Sequence, residues 1–140
     1  MKTQSIQLKI AMLAGGCLLC AMALLASEKQ ALPREELLAQ LQLYLALLRA
    51  VPYSRQSLVP NVEAEQLLNQ ALELNKFQVV ADRLGEIITM DRYQAILMTY
   101  YRNNIIHLFA LPSLVATLIE RQEGLDLPTL QAQCRRLYPL

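Results

Sequence analysis

The chain has 140 residues and a formal net charge of +1, and 54% of its residues are hydrophobic whereas 18% are charged. This composition favours one helical, leucine-rich domain with a modest core over a disordered chain. The near-neutral charge excludes the broad basic surface expected of a nucleic-acid-binding protein. Three cysteines are too few for a disulfide scaffold, and the sequence predicts neither a metal site nor a bound cofactor.

The amino-terminal residues allow several interpretations. Lys2 and Lys9 precede an apolar run over residues 10–26, which is the pattern of a secretory signal or, at the short limit of length, of a single membrane helix. A lipoprotein signal at Cys17 is a weaker interpretation, because the residues after it stay apolar. Cys17 and Cys20 have the spacing of a redox or metal motif, but without a second pair we interpret them as small buried residues.

Two amphipathic helices are predicted next. Pro33 suits the first turn of a helix, and Glu35 and Glu36 favour the positive end of the helix dipole. Leucines then recur at helical spacing until Pro52. A second helix is predicted over residues 62–74. The positions predicted to face inward are Leu37, Leu38, Leu41, Tyr44, Leu45, Leu48, Leu67, Leu68, Ala71 and Leu72.

A β-hairpin is predicted after the second helix, with extended residues on either side of a turn at Asp82–Gly85. Asp91 and Gln94 have the spacing of a capping box. A long helix is therefore expected to begin there and to end or kink at Pro112.

Two further helices are predicted, one over Leu114–Glu120 and one that starts near Pro128. The predicted fold class is mainly α, a helical module with one short β-hairpin. The order helix, helix, hairpin, helix is that of a winged-helix unit. Three acidic residues in and beside the hairpin offset its two basic residues, so we expect no nucleic-acid binding.

The densest polar cluster lies in the apolar segment over residues 97–114. Polar groups in a buried helix must find partners or cost about 1–3 kcal/mol each. On a continuous helix, residues 100, 103, 104 and 107 share one face at the spacing i, i+3, i+4, i+7. The cluster is either a buried hydrogen-bond network that fixes how the helix docks or a face that meets substrate. Its members are Tyr100, Tyr101, Arg102, Asn103, Asn104 and His107.

Two residues of this cluster invite a chemical interpretation. Arg102 stands in an apolar, tyrosine-flanked stretch and needs an anion; a buried ion pair is the interpretation that we favour. His107 is not expected to be a catalytic base, because no acidic residue lies within a helical turn of it. No catalytic residue is predicted in this chain.

The same segment carries a resemblance to a known family. YYRNNIIH at Tyr100–His107, followed by an apolar run and LPSL, is similar to the bacterial membrane-bound glycerol-3-phosphate acyltransferases. The resemblance extends from about Ala21 to Pro139, and its other stretches agree in order and spacing. They are ALLAS at Ala23–Ser27, VPYS at Val51–Ser54, ALELNKFQVV at Ala71–Val80 and LYP at Leu137–Pro139.

The resemblance implies an enzyme that transfers a fatty acyl group from acyl-CoA or acyl carrier protein to position 1 of glycerol 3-phosphate. This reaction begins phospholipid biosynthesis at the cytoplasmic side of the inner membrane. Members of the family are several times longer, and their catalytic His-x-x-x-x-Asp motif lies in a domain upstream of the matched region. Five residues after His107 stands Pro112, so this chain lacks the motif. We therefore expect a non-catalytic fragment that follows the catalytic domain.

The resemblance also guides the domain division. Residues 1–30 are interpreted as an apolar helix from the end of the catalytic domain, with a signal or anchor as the alternative, and residues 31–140 as a helical module. The implied partners are the parent's catalytic domain, a membrane surface and, through the parent, acyl-CoA or acyl carrier protein. Docking on the catalytic domain becomes the favoured role of the polar cluster. The alternative function is a small exported helical protein or lipoprotein with a binding role.

Overall fold

A computed structural model of the chain describes residues 15–53, 59 and 61–138. Lys2, Lys9, Ser54 and Pro139, which entered the sequence interpretation, lie outside the described residues. The described elements confirm a mainly α fold with a small antiparallel sheet. They are α1 (Gly15–Ala26), β1 (Ala31–Pro33), α2 (Arg34–Ala50), α3 (Ala64–Glu73), β2 (Gln78–Asp82), β3 (Gly85–Thr89), α4 (Arg92–Arg102), a 3₁₀ helix (Ile106–Phe109), α5 (Ala110–Arg121) and α6 (Leu127–Leu137).

The chain divides into two compact units, the first ending at Ile105 and the second beginning at Ile106. Helix α1 belongs to the core of the first unit, where Cys20, Ala21 and Leu24 have no exposed surface. The contacts therefore place no boundary near residue 30. The assignment of residues 1–30 to the end of a catalytic domain stays a prediction.

Helix α1 approaches α3 closely. A methyl group added at Gly16 would lie 3.1 Å from the carbonyl oxygen of Leu67 and equally near its side chain. Glycine at this position lets the two backbones come together, and Leu67 and Leu68 of α3 are fully buried. The apolar character of α1 is thus explained by packing within its own unit.

The predicted inward stripes of α2 and α3 are confirmed. In α2 the buried positions recur every three or four residues, and α3 shows the same spacing. Pro33 lies immediately before α2, where its missing amide hydrogen costs nothing. The buried residues of the two helices are Leu37, Leu41, Leu45, Leu48, Ala64, Leu67, Leu68 and Ala71.

The predicted hairpin is confirmed as β2 and β3, and a third strand that the sequence did not predict extends it. The strand order is β1-β3-β2, with Ala31 opposite Thr89. Ser27 turns the chain from α1 into β1, because its hydroxyl donates to the Leu24 carbonyl at 2.7 Å and accepts from the Ala31 amide at 3.0 Å. Gly85 begins β3 with φ of +131°, which favours glycine.

The long helix predicted to reach Pro112 is interrupted, so this prediction is wrong. Its start is confirmed, because the Asp91 carboxylate accepts from the Gln94 amide at 2.7 Å. The helix ends at Arg102, however, and a turn over Asn103–Ile105 follows. Asparagine side chains compete for backbone hydrogen bonds and favour turns over helix interiors.

The second unit contains the 3₁₀ helix, α5 and α6. Pro112 lies in the first turn of α5, where proline is tolerated, and so does not break a helix. Gly124 has φ of +72° in the turn before α6. The predicted helix start near Pro128 is confirmed, since Asp126 accepts from the Thr129 amide at 3.0 Å. Hydrogen bonds from Thr129 also lower the pKa of the Asp126 carboxyl.

Within the described part of the chain, no single helix combines the length and hydropathy needed to cross a membrane. Helix α4 and the helical stretch Ile106–Arg121 reach that length and hydropathy only when the two are taken together.

The close packing of α1 on α3 predicts opposite effects for two neighbouring glycines. Alanine in place of a helical glycine ordinarily stabilises by about 0.5–1 kcal/mol. Gly15 has open space around it, so Gly15→Ala is expected to raise the free energy of unfolding by that amount. Gly16→Ala is expected to lower it by about 1–3 kcal/mol, because the added methyl meets the Leu67 backbone. Denaturant unfolding followed by circular dichroism measures both; equal stabilisation would contradict the close approach.

Candidate functional site

The polar cluster predicted from the sequence is divided by the structure. Tyr100, Tyr101 and Arg102 form the last turn of α4, and Asn103 and Asn104 follow directly. His107 lies in the 3₁₀ helix that begins the second unit. The expectation that four of these residues share one helical face is wrong, because the amides of Asn104 and Ile105 donate to carbonyls three residues earlier and tighten the chain into a turn.

The cluster is exposed within the described chain. Tyr100 is 72% and Tyr101 43% exposed, and both asparagines are exposed. The two tyrosine rings meet edge to face with centroids 5.8 Å apart. The buried hydrogen-bond network that the sequence suggested is therefore not formed among these described residues. Their role in docking stays a prediction.

Arg102 is partly buried, and its Nε atom is buried without a hydrogen-bond acceptor. No carboxylate among the described residues pairs with its guanidinium. The predicted ion pair is therefore not formed inside the described chain. Arg102 is the last residue of α4, where the negative end of the helix dipole favours its positive charge. A buried donor without a partner costs about 1–3 kcal/mol, so this side chain is suited to an anion from outside these residues.

Helix α4 presents an apolar face outward, which sequence reasoning missed. Its buried side is formed by Ala95 and Met98. On the other side Tyr93, Ile96 and Tyr100 are 73%, 66% and 72% exposed. Their spacing i, i+3, i+7 was visible in the sequence as a stripe. Periodicity shows that a stripe exists, but only the packed structure shows which side the rest of the chain covers.

A groove of about 280 Å³ adjoins this face of α4. Lys76 at its wall is partly buried and has no acidic partner among the described residues. The groove is otherwise lined by Cys17, Leu18, Leu74, Leu97, Met98 and Tyr101. An apolar groove with one ammonium group can receive an apolar group that carries a negative charge nearby.

The buried thiols of α1 are unreactive in character. Burial raises the pKa of Cys17, and the charge of Lys76 offsets part of this rise. Burial also raises the pKa of Cys20, and the neighbouring Cys17 adds to the effect. High thiol pKa values lower the fraction of nucleophilic thiolate near neutral pH.

The described residues also contain no group of three His, Cys, Asp or Glu side chains placed to hold a metal ion.

A second cavity, of about 290 Å³, lies between α1 and α2. Its lining is mostly apolar, with Ala23 and Ala26 from α1 and Ala39 from α2. Tyr44 lies at its wall, and burial raises the pKa of the phenol. A raised pKa keeps this hydroxyl protonated and leaves it as a hydrogen-bonding group rather than a base.

Arg34 forms a polar junction that the sequence interpretation did not identify. Its guanidinium donates to Asn69 Oδ1 at 2.8 Å and to Glu86 Oε2 at 3.2 Å, with Glu65 at 3.8 Å. It thereby ties α2 to α3 and to β3. The Glu65 side chain is largely exposed and that of Glu86 is half-exposed, so these ion pairs contribute modestly to stability. All of these contacts lie within the first unit, whose elements Arg34 therefore helps to hold together.

The comparisons with known proteins agree on one family. Residues 10–140 match the family model described as "Glycerol-3-phosphate acyltransferase C-terminal region". The glycerol-3-phosphate acyltransferase of Aeromonas hydrophila subsp. hydrophila is 60% identical to this chain over 125 residues. That match covers 89% of this chain and 16% of the relative, so the chain spans about one sixth of the relative's length. No solved structure matches this chain.

Thiol reactivity tests the burial of α1. Cys134 is partly exposed whereas Cys17 and Cys20 are buried. In the native chain one thiol is expected to react with a maleimide near neutral pH, and all three after unfolding in guanidinium. The Cys134→Ser variant should then show no rapid reaction, because the two remaining thiols are shielded and protonated. Rapid labelling of that variant before unfolding would contradict the packing of α1.

Proposed function

Since this chain belongs to the family of glycerol-3-phosphate acyltransferase C-terminal regions, we propose that it supports a catalytic portion of the enzyme that lies outside these residues. The observation that carries the proposal is the extent of the match, which covers 89% of this chain and 16% of the relative. The residues themselves agree, because the only histidine, His107, is followed five positions later by Pro112 and not by aspartate.

The proposed parent enzyme transfers a fatty acyl group from acyl-CoA or acyl carrier protein to position 1 of glycerol 3-phosphate. Its product enters phospholipid biosynthesis, and its proposed location is the cytoplasmic side of the inner membrane, as a peripheral protein. These properties come from the family resemblance. This chain contributes no catalytic residue to the proposed reaction, and its proposed direct partner is the catalytic domain.

The residues proposed to dock on the catalytic portion are those of the polar cluster. Tyr100 and Tyr101 offer large, rigid surfaces with a polar tip, and such residues are enriched at protein interfaces. Asn103 and Asn104 can donate and accept hydrogen bonds at once. Exposure within this chain supports the proposal, because the tyrosine and asparagine side chains are accessible to a partner. Arg102 and His107 complete the proposed set.

The proposed function is tested by measuring acyl transfer by the isolated chain and by this chain fused to the rest of a relative. The isolated chain is expected to match the blank when it is assayed with acyl-CoA and glycerol 3-phosphate. The Aeromonas relative truncated before the matched region should regain acyl transfer when this chain is fused in place of the removed part. This fusion is called the joined protein. Turnover by the isolated chain, or a joined protein no more active than the truncated one, would contradict the proposal.

Arg102 is expected to behave differently in the two forms. Arg102→Met keeps the apolar stem and removes the unpartnered donor, so the isolated chain should be equally stable or more stable by about 1–3 kcal/mol. In the joined protein the same change should destabilise by about 3–5 kcal/mol, because it leaves the partner's anion buried and unpaired. Melting temperatures of both forms provide the measurement.

Steady-state kinetics distinguish the two anions that could pair with Arg102, a carboxylate of the protein and the phosphate of the substrate. With a protein carboxylate as partner, Arg102→Met leaves the Michaelis constant for glycerol 3-phosphate nearly unchanged, and Arg102→Lys restores part of the stability. A joined Arg102→Met protein of unchanged stability with a greatly raised Michaelis constant would show instead that Arg102 binds the substrate phosphate.

A further inference from the structure

The exposed face of α4 and the groove beside it form one continuous surface. At about 100° per residue, Tyr93, Ile96 and Tyr100 fall within a narrow arc of the helix, and Leu97 and Tyr101 lie at its edge. Leu97 and Tyr101 also line the groove. The α4 surface, defined as Tyr93, Ile96, Leu97, Tyr100, Tyr101 and Lys76, therefore runs from the outer side of the helix into the groove.

The α4 surface is about as large as the largest apolar patch of a typical monomer, and such a patch is often functional. Tyr93, Ile96 and Tyr100, which are 66–73% exposed, together present on the order of 400 Å² of mostly apolar area. Apolar patches of this size commonly mark binding sites. The buried side of the same helix packs in the core through Ala95 and Met98, so α4 is apolar on two sides and covered on one.

The chemistry of the α4 surface favours a polypeptide over a lipid bilayer. Tyrosines are typical anchors of protein interfaces. Asn103 and Asn104 are exposed where this surface ends, and their amides would lose hydrogen bonds in hydrocarbon. Lys76 has its charge at an apolar wall without a carboxylate among the described residues. A protein segment with apolar side chains and a carboxylate satisfies all three groups.

The occupant of the α4 surface is inferred from the part of the relative that lies outside the matched region. All but 16% of the Aeromonas relative lies outside the region that this chain matches, and the matching family model describes a C-terminal region. We propose that the α4 surface receives an apolar segment bearing an acidic side chain from the polypeptide that precedes this region in the parent enzyme, with the carboxylate placed against Lys76. This inference rests on the proposed function and names the partner of the docking site.

Cysteine accessibility tests the α4 surface directly. Ile96→Cys is made in a Cys134→Ser background, and Leu84→Cys serves as the matched control, because Leu84 is 97% exposed in the hairpin of the same unit. Maleimide labelling of each site is followed by mass spectrometry in the isolated chain and in the chain joined to the preceding polypeptide of the Aeromonas relative. Joining should slow labelling at position 96 at least about tenfold and leave position 84 within about twofold.

The charge of the partner is tested in the joined protein. Lys76→Glu should return labelling of Ile96→Cys toward the rate of the isolated chain, because two carboxylates then face each other. Lys76→Arg keeps the charge and should keep the protection. Equal labelling of the Lys76→Glu and Lys76→Arg proteins would overturn the assignment of an acidic partner.

The remaining outcomes separate this inference from the proposed function. Unchanged labelling at position 96 in a joined protein that transfers acyl groups overturns the α4 surface and leaves the proposed function standing. Protection at position 96 in an inactive joined protein supports the surface and tells against the function. Protection of the isolated chain by phosphatidylethanolamine–phosphatidylglycerol vesicles, or by raising its own concentration, would overturn the choice of occupant in favour of lipid or a second copy.

Discussion

The close approach of α1 to α3 at Gly16 is the constraint on which the first unit depends. Because Gly16 adds no side chain at this contact, α1 can lie against Leu67 of α3, and Cys20, Ala21 and Leu24 of α1 are buried. Its two sides then line two different cavities, one shared with α2 and one with α4. The groove next to α4 exists because Cys17 and Leu18 of this central helix form one of its walls.

Helix α4 is buried on one side and exposed on the other within the described chain. Its inner side contributes Ala95 and Met98 to the core, whereas its outer side leaves tyrosine and isoleucine in water. A helix that is apolar on more than one side is normally covered on more than one side. The segment proposed to dock on α4 would cover the second side, and the relative of which this chain spans 16% contains sequence outside the matched region.

The charged residues divide according to whether the chain satisfies them. Arg34 has an amide oxygen and two carboxylates around its guanidinium, all from elements of the same unit. Lys76 and Arg102 are partly buried and have no carboxylate among the described residues. Partial burial without a partner is costly for a cation. Arg34 therefore links elements of the first unit, whereas Lys76 and Arg102 are the two cations proposed to meet a partner.

The sequence by itself determined the local structure and the family. Leucine periodicity predicted α2 and α3, the Asp91–Gln94 spacing predicted a helix start, and the Tyr100–His107 motif indicated the acyltransferase family. These signals act between residues close in the chain. The tertiary structure alone decided that β1 pairs with β3 and that the outer side of α4 is exposed in the part of the chain that the structure describes. A three-residue strand has too short a pattern to be predicted, and the side of a helix that is buried depends on contacts with residues distant in sequence, as between Ala31 and Thr89.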